Sequence, residues 1–138
     1  MRICGVEISS HDANLAVLDV DTDTEAWQMV DVKRPKIHMA DGFDTEEVRR
    51  VAAEVRTFLL EHGVTIVAVK KQGAGGKFAA GPTAHRLATL FQVASDAQVV
   101  FVTPQQVAKR ANGLELPNTI RKYQIEAVCA ALVAARNT

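Results

Sequence analysis

Apolar and polar residues along the chain change period several times, and each change marks an element. Arg2–Ile8 (RICGVEI) is short and β-prone, with apolar neighbours on both sides of its polar positions, so it reads as a strand near a sheet centre. Ser9–Asn14 (SSHDAN) is a turn cluster, Leu15–Val20 (LAVLDV) a second strand, and Asp21–Glu25 (DTDTE) another turn. Trp27–Lys33 alternates and reads as a third strand with one wet face. Short turns between three strands predict an antiparallel meander. Pro35–Phe43 reads as a loop.

The period then becomes helical. Asp44 is placed to accept from the N–H groups of a first turn, with Glu47 reaching back as in a capping box. Val48, Val51, Ala52, Val55, Phe58 and Leu59 follow as one apolar stripe, and Gly63 suits a left-handed end. Thr65–Val69 (TIVAV) is apolar throughout, the mark of a strand buried on both faces. The glycine-rich stretch Gln72–Gly81 follows, and Pro82 opens a helix over Thr83–Ala94. Val99–Val102 is a fifth strand. Thr103 and Pro104 cap and start a short helix through Ala111, broken by Asn112-Gly113. Pro117-Asn118 opens a last helix through about Ala135. From Ile125 that helix is apolar nearly all round, which requires packing on both sides or a contact with a second copy.

The resulting order, β-β-β-α-β-α-β-α-α, predicts an α/β fold with a five-stranded mixed sheet. Right-handed crossovers set the fourth and fifth strands parallel to the first, which becomes central. Ligands in such sheets bind beyond the carboxyl ends of the strands at the topological switch point, here between the first and fourth strands. Glu7 ends the first strand, Lys70 and Lys71 end the fourth, and Glu126 lies early in the last helix. Glu7, Lys71 and Glu126 are therefore the candidate constellation.

Composition narrows the class. The 138 residues are 48% hydrophobic and 23% charged, ordinary for one globular domain spanning 1–138. Sixteen basic and sixteen acidic residues leave no net charge and no global field for nucleic acid. No apolar run approaches the length of a membrane span, and the N-terminus lacks the apolar core of a signal peptide, so a reducing cytoplasm is the expected setting. Cys4 and Cys129 are too few for a disulfide framework or a zinc site and read as small buried hydrophobes. His11, His38, His62 and His85 are scattered, and Ser9 and Ser10 have no base partner beyond His11.

Other candidates are local. Basic pairs stand at Arg49-Arg50, Lys70-Lys71, Lys109-Arg110 and Arg121-Lys122, the last three expected near the active edge as a positive patch. The loop QGAGGKFAAG departs from a nucleotide phosphate loop, with Lys71 where a glycine is required and Phe78 in place of Ser/Thr. Gly75 and Gly76 still allow close backbone approach, and Lys77 is a candidate for a phosphate. Asp12 is a possible extra carboxylate, or a turn residue capping its own backbone. One Trp, one Tyr and five Phe are too few for a dedicated single-strand binder.

The order of elements and the acid ending the first strand resemble the RNase H-like superfamily, and within it the RuvC-type Holliday-junction resolvases. The stretches that carry this are Ile3–Ile8 (ICGVEI), Val67–Gly81, Val102–Lys109 (VTPQQVAK) and Lys122–Leu132 (KYQIEAVCAAL). The chain also resembles a family of small bacterial single-domain proteins of unknown function, marked by G-V-E, by a stretch that stands here as GKFAAG, and by Y-Q-x-E-A. The resolvase resemblance implies several carboxylates holding two Mg²⁺ ions that clamp a phosphodiester. It assigns Glu7 as the first-strand acid and Glu126 as the last-helix acid. It places the fourth-strand acid at Lys71 and a further helix acid near Tyr123, neither of which is an acid.

The implied metal site is thus incomplete, with Glu7, Glu126 and at most Asp12 as ligands for Mg²⁺ or Mn²⁺. The resulting expectation is DNA or RNA binding with little or no cleavage. In that reading Lys71 supplies the metal's charge to Glu7, and Glu7→Gln destabilises the fold. Rival readings are a Mg²⁺- or Mn²⁺-dependent nuclease, and a homodimeric interaction module using the C-terminal helix. The actin-like ATPases share this topology but need two such lobes.

Overall fold

The computed structural model describes residues 1–73 and 81–137. Six strands and four helices follow in order: β1 (Arg2–Ser9), β2 (Asp12–Val20), β3 (Trp27–Met29), β4 (Lys36–His38), α1 (Thr45–Glu61), β5 (Ile66–Lys70), α2 (Pro82–Val93), β6 (Gln98–Val102), α3 (Pro104–Ala111) and α4 (Ile125–Arg136). A 3₁₀ turn, Lys122–Gln124, leads directly into α4. The sheet order is β3-β2-β1-β5-β6, and β4 also pairs with β2. The pair β1/β2 is antiparallel, and β1/β5 and β5/β6 are parallel. The mixed α/β architecture with β1 at the centre is the one the sequence predicts.

Period-two alternation divides the core into two layers. Cys4, Val6, Leu15, Val17, Val67 and Val69 face α1 and α2. Ile3, Ala16, Leu18, Ile66 and Ala68 face α4, with Val107 of α3 in the same cluster. Burial on both faces explains why β1 and β5 read as nearly continuous apolar runs.

Several local expectations change. β4 forms inside the segment read as a loop, because Ile37 enters the core while its neighbours stay wet. The third strand stops at Met29 instead of Lys33, and the chain leaves the sheet before returning as β4. Asp44 accepts from the N–H groups of Glu46 and Glu47 as predicted. Glu47 does not reach back; it accepts from the Ala40 N–H at 2.9 Å and from Arg50 at 2.7 Å. The last helix starts at Ile125, after the 3₁₀ turn, and not at Pro117.

Ala127 through Ala134 of α4 are all buried within the protomer, between the sheet and α3. Packing on both sides therefore accounts for the apolar character of this helix. Among the described residues no helix is long and apolar enough to cross a membrane.

The seat of α4 is set by Gly5. A Cβ there would lie 1.7 Å from the carbonyl oxygen of Ala127 and 3.2 Å from the nitrogen of Ala131. Both are backbone atoms, so no rotamer change relieves the overlap. Gly5→Ala should therefore cost roughly 3 kcal/mol or more, the upper end of overpacking effects. Gly63 is the control. It has φ +61° and nothing within 4 Å of a built Cβ, so Gly63→Ala should cost only about 1 kcal/mol of left-handed strain. Urea denaturation of both variants distinguishes the two mechanisms.

Candidate functional site

One row of polar side chains crosses the sheet at its carboxyl edge, on the α4 face. In the β1/β2 register Glu7 is opposite Asn14. In the β2/β4 register Asn14 is opposite Lys36. The β1/β5 register pairs Val6 with Val69, and its next step sets Glu7 level with Lys70. The row is thus Lys36, Asn14, Glu7, Lys70, with neighbouring strands about 4.8 Å apart.

The start of α4 closes over this row. Glu126, in its first turn, accepts from Lys70 Nζ at 2.7 Å, with side-chain exposures of 50% and 20%. Asn14, only 4% exposed, donates from Nδ2 to Glu7 Oε1 at 2.8 Å. Lys36 Nζ lies 4.2 Å from the centre of the Tyr123 ring. Arg121 Nη1 donates to the Tyr123 hydroxyl at 2.8 Å.

Gln124 pins the entry to the helix. Its Nε2 donates to the Leu15 carbonyl at 3.0 Å, and its Oε1 accepts from the Arg121 N–H at 3.1 Å. The Leu15 N–H donates to the Pro35 carbonyl at 2.8 Å, where the chain returns toward β4, and the Leu15 carbonyl takes the Gln124 amide. This bond ties the turn before α4 to β2. Beyond the row, Glu7, Ile8, Ser10, Lys70, Lys71 and Pro104 line a cleft of about 590 Å³.

Burial is the main influence on Glu7 and pushes its carboxyl above the usual carboxylate range. Asn14 pulls it down, Glu126 raises it, and Lys70 and Lys36 lower it, without cancelling the effect of burial. A carboxylate held under such stress on a central strand at a cleft is a functional-site signature. Burial also pushes the Cys4 thiol up to about 12 and raises that of Cys129, and both cysteines are buried in the core.

The sequence candidates separate under this geometry. Glu7, Glu126 and Lys70 come together. Lys71 does not join them in an ion pair; alternation turns its side chain away from the Glu7 face, and its N–H extends the ladder to Val102 at 2.8 Å. Lys70 holds the position assigned to Lys71, one residue earlier. Arg121 and Lys122 stay beside the site and are exposed. Lys109 and Arg110 do not. They end α3 at the opposite edge of the sheet, where Arg110 lines a groove with Val20, Asp21 and Arg136. Gly75, Gly76 and Lys77 lie outside the described residues.

Asp12 is on the Glu7 face, two residues before Asn14, and accepts from His38 Nδ1 at 2.8 Å. His11 and His38 are not scattered; their ring centres are 6.1 Å apart, and His11 Nδ1 bonds the Met39 carbonyl at 2.9 Å. Sequence reasoning missed Asn14, Lys36 and Gln124. The first two escape it because the apolar pattern starts β2 only at Leu15 and shows no strand at β4. The Y-Q-x-E-A mark contains Gln124 and was the available signal for it.

A two-ion site of the resolvase kind does not fit these residues. Among the described residues no three His, Cys, Asp or Glu side chains converge as metal ligands. Hard divalent ions take six or more oxygens and favour anionic ones. Here an ammonium is bonded directly to Glu126, one of the two carboxylates at the row among the described residues.

Comparison with solved structures shows the fold. Thermus thermophilus RuvC matches with a TM-score of 0.76 at 18% identity, over 99% of this chain and 94% of that one. The same protein in complex with Holliday junction substrate matches at 0.77 and 19%, with the same coverage. The yeast mitochondrial Holliday junction resolvase Ydc2 matches at 0.61 and 8%, over 99% of this chain and 78% of that one. The molecule therefore has an RNase H-like α/β fold, with its elements arranged as in RuvC. Residues 1–134 match a family model described as a protein of unknown function, DUF3010, and the chain belongs to that family. No curated protein matches the chain.

Burial dominates Glu7, and this reverses the expectation that Glu7→Gln destabilises. The folded carboxyl binds its proton more tightly than the unfolded one, so ionisation opposes folding as pH rises through the folded pKa. Glu7→Gln removes that penalty. The variant should melt above the wild type at pH 7, and the difference should fade as pH falls toward the ordinary glutamate value of 4.5. Thermal unfolding of both proteins across this range checks the sign. A variant less stable at pH 7 would show that pairing outweighs burial.

Proposed function

We propose that this protein binds nucleic acid at the carboxyl edge of β1 and β5 and does not cleave it by a metal-dependent route. The observation that carries this reading is Lys70. It stands level with Glu7 and is bonded to Glu126, where a phosphodiester-cleaving metal pair would need an oxygen ligand. Lys36, Lys70, Arg121 and Lys122 border the row and Lys71 the adjoining cleft, which makes a local basic rim on a chain with no net charge. Such a rim favours phosphate contacts that weaken with salt. The T. thermophilus RuvC complex holds a Holliday junction substrate, which favours DNA, and a branched form of it, as the first ligand to try.

A metal-dependent nuclease is the second reading. Asp12 favours it, because it is a carboxylate on the Glu7 face diagonal to Glu7 across β1 and β2. That reading requires Lys70 to leave Glu126 and Asp12 to leave His38.

The test uses labelled junction, duplex and single-stranded DNA and RNA, in a gel-shift assay at low salt and a cleavage assay with Mn²⁺. The expected result is a shift without cleavage, with log K falling against log salt by about 0.9 per duplex phosphate contacted. Lys36→Glu and Arg121→Glu should each weaken binding and flatten that slope. Mn²⁺-dependent cleavage that disappears in Glu7→Gln would establish the nuclease. Neither shift nor cleavage would move the weight to a protein-interaction role.

A further inference from the structure

The Lys70 ammonium is bonded to Glu126 of α4, and Glu7 of β1 stands level with Lys70 on the same face of the sheet. Like charges gathered on one face are stabilised by a nearby cation. Lys70 supplies it from within the chain. Its side chain is only 20% exposed, and its Nζ is 2.7 Å from Glu126 Oε1. A lysine ammonium is a compact point charge with donors and no acceptor, so it satisfies carboxylate oxygens much as a small cation does.

The surroundings offer further oxygens of the kind hard cations take. Asn14 Oδ1 is buried with no hydrogen-bond partner among the described residues. Asp12 lies on the same face, one alternation step from Asn14 and bonded to His38.

We infer that Lys70 is the resident cation of a latent divalent-metal site. Its tethered ammonium fills the place a metal ion would take beside Glu126 and level with Glu7, and removing it opens that place to Mn²⁺ or Mg²⁺. The tether makes the internal cation always present, so dissolved metal competes poorly with it. Charge repulsion from the ammonium adds to the exclusion. The inference shares only the position of Lys70 with the nucleic-acid reading and is tested with no nucleic acid present.

The probe is MnCl₂ alone, with free Mn²⁺ followed by electron paramagnetic resonance and folding by circular dichroism. Wild type and Lys70→Arg should show only weak binding in the millimolar range. Lys70→Glu, with three carboxylates on the row, should bind at least about tenfold more tightly, as affinity follows ligand charge count. MnCl₂ should raise the Tm of Lys70→Glu and leave that of the wild type unchanged. The double variant Lys70→Glu/Glu7→Gln should lose the gain.

If the wild type binds Mn²⁺ as tightly as Lys70→Glu, or a folded Lys70→Glu shows no gain, the inference is overturned. Should Lys70→Glu not fold, Lys70→Ala is read in the same way. The wild type gives a further check through the ¹⁵N signal of its Lys70 ammonium. That signal should change in Glu126→Gln and be insensitive to MnCl₂. An ammonium unaffected by Glu126→Gln, or displaced by Mn²⁺, would overturn the inference.

Discussion

The contact of α4 with β1 governs the positions of the groups that matter. Helix and strand meet backbone to backbone at Gly5 and Ala127, with no side chain between them. Alanines along α4 and Ala16 and Ala68 on the sheet continue this close approach. Because the helix lies so near the sheet, its first turn places Glu126 directly over the end of β5. A helix held further out by larger side chains would leave Glu126 beyond the reach of Lys70. Gln124 strengthens the same constraint by bonding the buried Leu15 carbonyl of β2.

That geometry explains why the charges at the row are arranged as they are. Seating α4 closely also buries the end of β1, and Glu7 is strained by burial as a result. The fold retains a destabilised carboxylate where an amide of similar shape would sit more easily. Carboxyls shifted by burial together with specific charge partners cluster at functional sites. Lys70 offsets part of the effect of burial on Glu7, and its bond to Glu126 ties β5 to α4. The same bond commits one of the two carboxylates at the row to an internal ammonium. A fold by itself does not fix the chemistry of its site.

The two edges of the sheet have different characters. The carboxyl edge gathers Lys36, Lys70, Lys71, Arg121 and Lys122 around two acids. At the opposite edge Lys109, Arg110 and Arg136 lie in the last turns of α3 and α4, where cations offset the negative helix ends. Basic pairs that look alike in sequence thus have different roles: one set borders a cleft, and the other stabilises helix termini.

Period and turn chemistry made the strand–helix order, the central β1, the Asp44 and Thr103 caps and the Gly63 end readable from residues alone, because each depends on neighbours within a few positions. Glu7 and Glu126 were also readable, one as the acid ending a central strand and the other at the start of a helix aimed at the same edge. The sequence could not distinguish Lys70 from Lys71, since a shift of one residue turns a side chain to the other face, and only pairing with β1 decides which one faces Glu7. It could not reveal β4 either, because three residues carry too little alternation to register as a strand. Nor could it resolve whether the apolar α4 meets a second copy or its own sheet. That answer depends on a glycine and an alanine more than a hundred residues apart coming into backbone contact, a fact no local pattern records.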